Sequence, residues 1–439
     1  MRLEQPVPAW ATAQLRWAPG LARPQVPAAS QTQAPPRALL AAFGFALVAL
    51  TLLDRFGLRL SDDYSAHPSL FATYGLVAAM LTTGSAQIDR AGVLMYVAVV
   101  TVAALSFFVN VSLAPHPYVS IGSLMLVMVL YAPFVLRLRP SVGTPQLWQR
   151  VVRWYIHIAL FCALAGIAQF YAQFVFDAPW LFDYREFIPA AIRGSGIYNT
   201  TNYTGDWATV KSNGFFLREA SGFSFYMALA MICEASFARR KWVLAVLALA
   251  LVVSYSGSGL LVLGAALLFP LGPRALARGA LALLAAGVVV WLLGDALNLS
   301  YTLGRLSEFD PEATTSSAYC RFYSPAKLIA ERIDSFTWTA LLGHGPGTMQ
   351  KVGSGACETT YGKLLFEYGL VGAMAFAALV LAAIGRSAAP VRIRVALVLG
   401  WVFLGGNLVS PDALLLVFLM TGMWPAAPVR ARTLRESTP

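Results

Sequence analysis

Apolar segments of about the length that crosses a bilayer recur along almost the whole of this sequence. A transmembrane α-helix needs about 17–25 predominantly apolar residues, and twelve segments approach or reach that length. They lie at approximately 38–53, 69–84, 91–113, 117–136, 152–176, 222–237, 241–254, 256–271, 279–294, 362–385, 391–408 and 410–425. Because a backbone in lipid must satisfy its own hydrogen bonds, the pattern predicts an all-α fold, a polytopic transmembrane helical bundle of about twelve spans. The composition agrees, since 58% of the residues are hydrophobic and only 12% are charged.

Basic residues cluster on alternate connections between these segments. The clusters are Arg137, Arg139, Arg150 and Arg153; Arg239, Arg240 and Lys241; Arg274 and Arg278; Arg386, Arg392 and Arg394; and Arg430, Arg432 and Arg435. Cytoplasmic connections keep an excess of positive charge, so both termini are expected in the cytoplasm. The net charge of +11 is then a consequence of membrane orientation, and nucleic acid is not an expected partner.

The chain divides into one membrane domain and two tails. Residues 1–36 are rich in Pro, Ala and Gln and predict a disordered cytoplasmic tail, residues 37–428 form a single transmembrane domain, and residues 429–439 form a second cytoplasmic tail. Two extracytoplasmic connections are long, at about 177–221 and 295–361, and the second has apolar residues at helical spacing. Loops of this length usually carry function or are disordered, so the active site is expected outside the cytoplasm.

Chemistry on that side needs a substrate that carries its own leaving group, because nucleotide-activated donors are not expected there. The sequence has neither a P-loop nor a metal-ligand cluster of His and Cys, so no cofactor and no metal are expected. A lipid-linked diphosphate sugar meets the requirement, and the planar guanidinium of arginine donates well to phosphate oxygens. Arg218, with Glu219 beside it, precedes an apolar segment and is the first candidate. The alternative is an interfacial arginine that pairs with Glu219 or with an acidic loop residue.

Five short motifs occur in the order and spacing of a known family. They are FFLREASGFSFYMALA around Arg218, SYSGSGLLVLG at 254–264, YCRFYSPAKLIAERI around Arg321, LLGHGPGTM at 341–349 and ETTYGKLLFEYGLVG at 358–372. Over roughly residues 180 to 385 the chain resembles the O-antigen polymerase and O-antigen ligase superfamily. The resemblance implies a metal-independent membrane glycosyltransferase at the periplasmic face of the bacterial inner membrane. It would transfer an undecaprenyl-diphosphate-linked oligosaccharide to an acceptor sugar hydroxyl, and so polymerise O-antigen or exopolysaccharide repeats.

The resemblance also assigns arginines to the diphosphate. Arg218 and Arg321 stand at the family's arginine positions, where they would bind the diphosphate and stabilise its growing charge. Arg193 is a third candidate, and its alternative is a solvated loop charge.

Three residues are candidates for the proton acceptor. Ligases of the superfamily carry a His-Asn pair where this chain has Glu358 and Thr359, so Glu358 becomes a candidate general base and a polymerase is preferred over a ligase. His344 is a second candidate base, unless it is incidental to its glycine-rich turn. Glu219 either orients Arg218 or serves as the base itself.

The four cysteines fall into two pairs. Cys162 and Cys233 lie inside predicted spans and are interpreted as small apolar residues. Cys320 and Cys357 lie in the second long loop, on the oxidising side of the membrane, where disulfides persist. They either form a disulfide that holds Arg321 beside Glu358 or stay as two free thiols in an apolar loop core.

Three other functions stay open at this point. A ligase would transfer the glycan to lipid A core, in lipopolysaccharide synthesis. An ion-coupled flippase would need ionisable residues inside its spans, and His157, Lys363 and Glu367 are the few that occur there. The third alternative, a purely structural partner of an export complex, does not explain the arginines on the extracytoplasmic side. Expected partners are therefore the lipid-linked donor, a glycan or lipid A core acceptor, the bilayer and a chain-length regulator.

Overall fold

The computed structural model describes residues 34–59, 65–112, 118–176, 187–194, 211–270, 272–293, 316, 318–332, 337–352, 357–403 and 408–425. The predicted tail 429–439 lies outside the described residues, as does the predicted tail 1–36 except for its last three positions. The two long loops are described only in part. The disorder of residues 1–36 and the order of the two long loops therefore stay predictions.

Most of the described chain is helical, as the apolar pattern predicts. In chain order the helices are α1 (Arg37–Thr51), α2 (Pro68–Thr82), α3 (Arg90–Ser112), α4 (Ile121–Tyr131), α5 (Pro145–Ala172), α6 (Ala220–Phe237), α7 (Lys241–Val253), α8 (Gly257–Leu268), α9 (Pro273–Leu293), α10 (Ser324–Arg332), α11 (Trp338–Leu342), α12 (Thr348–Val352), α13 (Thr360–Gly385), α14 (Val391–Phe403) and α15 (Pro411–Val417). Each of the twelve apolar segments coincides with one of them, and α10, α11 and α12 lie within the second long loop. Among the described residues, α3, α5, α6 and α13 are long and apolar enough to cross a membrane, and six further apolar helices are shorter. The number of crossings stays a prediction.

Short antiparallel strands connect some of the helices. Strand β1 (Leu58–Arg59) pairs with β2 (Ser65–Ala66), and β3 (Ala86–Ile88) pairs with β4 (Leu136–Leu138). Beside the second pair, the carboxylate of Asp89 lies 3.0 Å from Arg137 and 2.9 Å from Arg386. These contacts join the start of α3 to the end of α13, at the end of the bundle where several basic clusters lie.

Helices α6 and α8 pack closely at the opposite end, because a glycine lets their backbones approach. A Cβ at Gly259 would clash with the carbonyl oxygen of Ser224. The Ser224 hydroxyl accepts the Gly259 N–H at 2.7 Å and donates to the Ser256 carbonyl at 3.2 Å. We call this the site end of the bundle, the end at which α6, α8 and α13 begin.

A glycine-rich turn enters the bundle where α13 is interrupted. Gly369 has a φ of 65°, and the helix does not continue regularly through it. The carbonyl groups of Phe366 and Glu367, just before the break, accept the N–H groups of His344 (2.9 Å) and Gly345 (3.0 Å). Segment 338–352, made of α11, the turn and α12, is therefore a hairpin whose tip lies against the broken helix. Irregular backbone at membrane depth is tolerated where protein surrounds it.

Candidate active site at the site end of the bundle

Arg218 lies at the centre of a cluster built from three distant parts of the chain. Its backbone N–H donates to Asp54 Oδ2 at 2.9 Å and its Nε donates to Asp54 Oδ1 at 3.1 Å. Its Nη2 donates to Asp412 Oδ2 at 2.8 Å, and its Nη1 lies 3.3 Å from His67 Nε2. The guanidinium is about one-quarter exposed, while both carboxylates are almost buried. Arg218 thus connects the start of α6 with the residues that follow α1 and with the starts of α2 and α15.

The neutral form of His67 is favoured in this cluster. Burial lowers its pKa first, and the charge of Arg218 lowers the pKa further, although Asp412 and Asp54 act in the opposite direction. A neutral imidazole accepts a hydrogen bond at one ring nitrogen, which agrees with the donor Nη1 of Arg218 facing Nε2. Sequence reasoning missed Asp54, His67 and Asp412, since no motif marks them. The one local signal is that Asp412 lies in the first turn of an apolar helix, after a Ser410 that caps it.

Glu219 and Arg193 make other contacts. The Glu219 carboxylate accepts the Ser221 hydroxyl at 2.7 Å, so its described bond is within the first turn of α6, and the residues that orient Arg218 are aspartates. Arg193 donates from Nε and Nη2 to the carbonyl oxygen of Ile188, at 3.2 and 2.8 Å. Its backbone forms a bridge with Phe56, close in the chain to Asp54. The role of each residue in catalysis stays a prediction.

The serine-glycine motif links the two candidate arginines. Arg321 donates from Nη1 to the hydroxyl of Ser258 at 3.0 Å. Ser258 lies in the first turn of α8, next to the Gly259 that packs on Ser224 of α6. Arg218 lies two residues before the first residue of α6, and Arg321 contacts the start of α8. Both arginines therefore stand at the site end of the α6–α8 pair.

Cys320 and Cys357 form a disulfide, and the Cys357 N–H also donates to the Cys320 carbonyl at 3.1 Å. Their Cα atoms are 5.1 Å apart. Because Arg321 and Glu358 each follow one of these cysteines, the disulfide brings the cation and the carboxylate onto neighbouring backbone. Tyr361 strengthens this junction, since its hydroxyl donates to the Arg321 carbonyl at 2.7 Å.

Glu358 contacts a buried lysine, whereas His344 packs against an aromatic ring. Lys363 donates to Glu358 Oε2 at 2.5 Å and lies 3.7 Å from Glu367 Oε1. The His344 ring packs on the Phe366 ring, with centroids 4.7 Å apart, and its turn is fixed by the interrupted helix. In the described residues no group of three or more His, Cys, Asp or Glu side chains could hold a metal ion.

One protein family matches almost the whole of this chain. The family model of the WcaD colanic acid polymerase matches residues 39–424, which includes every helix from α2 to α15 and nearly all of α1. The chain belongs to the WcaD colanic acid polymerase family. No curated protein and no solved structure matches it.

Membership in the WcaD family confirms the resemblance to O-antigen polymerases and the preference for a polymerase. This WcaD-family protein is a membrane protein of polysaccharide synthesis, whose family polymerises repeat units. Of the predicted site residues, the structure joins Arg321 to Glu358 through the disulfide and links Arg218 to Arg321 through α6 and α8. Arg193 is tied by its backbone to the segment that holds Asp54.

Proposed function

We propose that this WcaD-family protein lengthens a lipid-linked glycan at the site end of the bundle, on the periplasmic face of the bacterial inner membrane. The donor is an oligosaccharide on undecaprenyl diphosphate, and the acceptor is a hydroxyl of the terminal sugar of a second lipid-linked repeat. The observation that carries the proposal is the placement of Arg321 beside Glu358. A cation suited to a leaving diphosphate and a carboxylate suited to an acceptor hydroxyl follow the two halves of one disulfide.

Arg321 acts on the leaving group. As the bond between the sugar carbon and the diphosphate oxygen breaks, negative charge grows on the diphosphate, and a fixed guanidinium stabilises that charge. Arginine keeps its own charge at any working pH, and the Ser258 hydroxyl, which accepts from Nη1, limits where the guanidinium lies. Undecaprenyl diphosphate then leaves with the bonding electron pair.

Glu358 acts on the acceptor. Its carboxylate takes the proton of the attacking hydroxyl as the oxygen forms the new glycosidic bond, the usual task of a general base. Glu358 is about one-quarter exposed, so a substrate hydroxyl has access to it. His344, inside the hairpin, is the second candidate for this role.

Arg218 has a different setting from Arg321. Two almost buried carboxylates already face its guanidinium at 2.8–3.1 Å, so a diphosphate would have to compete with them. We therefore assign the leaving group to Arg321 first, and we assign to Arg218 the task of fixing the helix starts around the site. A shared grip by both arginines requires that a carboxylate give way when the donor binds.

An ion-coupled flippase is a second candidate, which the buried pair Lys363 and Glu367 favours. Ionisable groups inside a span usually serve a pathway or a relay, and the side chains of both residues are almost fully enclosed. The same pair has a structural task, however, because Glu367 holds the hairpin through the Met349 N–H at 3.2 Å.

Purified protein in vesicles without an ion gradient separates these functions. With lipid-linked repeats as the only substrate, a polymerase yields a ladder of longer lipid-linked glycans, and Arg321→Ala strongly reduces the ladder. Movement of the substrate that needs a gradient, with no ladder, would overturn the proposal.

In a deletion strain, loss of long surface chains with single repeats retained supports a polymerase. Long chains left on undecaprenyl diphosphate would instead indicate a ligase.

A further inference from the structure

Glu367 holds the glycine-rich hairpin to the interrupted helix. It is fully buried, and its carboxylate accepts the Met349 N–H while its carbonyl accepts the Gly345 N–H and the Ser106 hydroxyl. A Cβ at Gly343, whose φ is +73°, would clash with the Glu367 backbone. The position of His344, next to Gly343, therefore depends directly on Glu367.

Lys363 lies one helical turn before Glu367 and contacts two carboxylates. Its Nζ is 3.7 Å from Glu367 Oε1 and 2.5 Å from Glu358 Oε2, and its side chain is 4% exposed. A buried carboxylate without a counter-charge is strongly destabilising, so Lys363 is what allows Glu367 to stay inside the bundle as a carboxylate. The same ammonium group also contacts Glu358, and of the two carboxylates only that of Glu358 reaches solvent.

These contacts form a continuous chain from the interior to the surface. Glu367 is enclosed, Lys363 is almost enclosed, and Glu358 is 23% exposed beside the Cys320–Cys357 disulfide. Substrate can therefore reach Glu358 but not the other two residues. The orientation of Glu358 is fixed from behind by Lys363 and from the side by the disulfide.

We infer that Lys363 is a positioning residue of the polymerisation reaction: it orients the Glu358 carboxylate toward the acceptor hydroxyl and couples it, through Glu367, to the hairpin that carries His344. This inference rests on the proposed function, in which Glu358 is the general base. Lys363 touches no substrate. Its effect on the rate passes through Glu358, and this dependence distinguishes it from a residue that only stabilises the fold.

A double-mutant cycle in the rate of ladder formation tests the inference. Glu358→Gln should lower kcat by about 100-fold or more, the usual size of a general-base contribution. Lys363→Met should lower kcat by about 10- to 100-fold with the KM for the donor within about twofold, because the diphosphate contact is elsewhere. The double variant Glu358→Gln, Lys363→Met should be no slower than Glu358→Gln alone, since the lysine has nothing left to orient. Lys363→Arg, which keeps the charge, should recover part of the rate.

The matched control is Lys327→Met. Lys327 pairs with Glu331 in the same loop at 3.8 Å, but both side chains are more than half exposed, so its loss should leave kcat unchanged. Because Lys363→Met leaves Glu367 as a buried, uncompensated carboxylate, the rate is also measured on Lys363→Met, Glu367→Gln, which removes both charges. That pair should fold, as judged by a single peak in size-exclusion chromatography, and should stay slow.

Two results would overturn the inference while leaving the proposed function intact. One is a Lys363→Met enzyme, or a folded Lys363→Met, Glu367→Gln enzyme, as fast as the wild type. The other is an equal loss of rate from Lys363→Met with and without Glu358. A Glu358→Gln enzyme with unchanged kcat would refute both the inference and the assignment of Glu358 as the general base in the proposed function. A wild-type protein that forms no ladder at all would instead refute the proposed function.

Discussion

Arg218 donates to the Asp412 carboxylate at 2.8 Å across 194 positions of sequence. With Asp54 on its other side, this bond ties the start of α6 to the start of α15 and to the end of α1. An arginine that the sequence offers either as a diphosphate ligand or as half of an interfacial ion pair is therefore part of a nearly buried ionic cluster. That relationship changes what its replacement is expected to do.

Arg218→Ala should destabilise the protein as well as reduce its activity. The change leaves two almost buried carboxylates without their partner, which costs about 3–5 kcal/mol in free energy of unfolding. The stability of Arg218→Lys should lie between those of Arg218→Ala and the wild type. An ammonium group keeps the charge but lacks the planar guanidinium that reaches both Asp54 and Asp412. The measurement is the unfolding midpoint of the detergent-solubilised protein, with Arg153→Ala, an exposed arginine of α5, as the control. A stable but inactive Arg218→Ala protein would contradict the structural role and favour direct contact with the diphosphate.

Stability should fall as the pH is lowered below about 6.5. Burial and Arg218 lower the pKa of His67 in the folded state, whereas in the unfolded chain it returns to about 6.5. The unfolded state therefore takes up a proton first, and stability is lost progressively until the pH reaches the folded-state pKa. His67→Gln should remove this part of the pH dependence of the unfolding midpoint. A pH dependence unchanged by His67→Gln would contradict the prediction.

Replacing both Cys320 and Cys357 by serine should lower the stability of the second long loop without abolishing catalysis. The disulfide closes a loop across 37 positions, which corresponds to about 3–4 kcal/mol in the chain-entropy account. Ladder formation should decline with temperature earlier than in the wild type, since Arg321 and Glu358 lose their common anchor. The thiol count from intact mass under non-reducing conditions checks the premise. Free thiols at both positions in active protein would refute it.

Arg321→Ala should reduce polymer formation by about 100- to 1,000-fold, the usual loss when one group that stabilises transition-state charge is removed. Arg321→Lys should recover little, because the planar two-point donor geometry is lost. Ser258→Ala should have a smaller effect, since Ser258 only limits the position of the guanidinium. Arg193→Ala is the comparison, with its guanidinium bonded to the Ile188 carbonyl. Wild-type ladders from Arg321→Ala would exclude Arg321 as the diphosphate ligand.

Cysteine labelling from outside the cell tests the orientation. Lys327, which is exposed in α10, lies in the second long loop, and Ala238, exposed at the end of α6, lies beside a basic cluster. The positive-inside pattern predicts that a cysteine at Lys327 reacts with a membrane-impermeant reagent and that one at Ala238 reacts only after permeabilisation. The reverse result would place the arginines and Glu358 in the cytoplasm and remove the reason for a lipid-linked donor.

The sequence by itself determined the helices, the order of the motifs and the family. Apolar runs in a membrane protein specify helices locally, because backbone hydrogen bonds in lipid are satisfied within the segment, and each of the twelve runs coincides with a helix. The motifs around Arg218, Arg321 and Glu358 were also recognisable, because each is a short contiguous stretch of sequence.

Only the tertiary structure decided which charges meet. Adjacent residues suggested that Glu219 serves Arg218, yet the aspartates that bind it lie 164 and 194 positions away, and Glu219 bonds to Ser221. The interruption of α13 at Gly369 and the insertion of the His344 turn against Glu367 were equally hidden. Both depend on how helices pack, and an ion pair between distant segments forms only where packing brings its partners together.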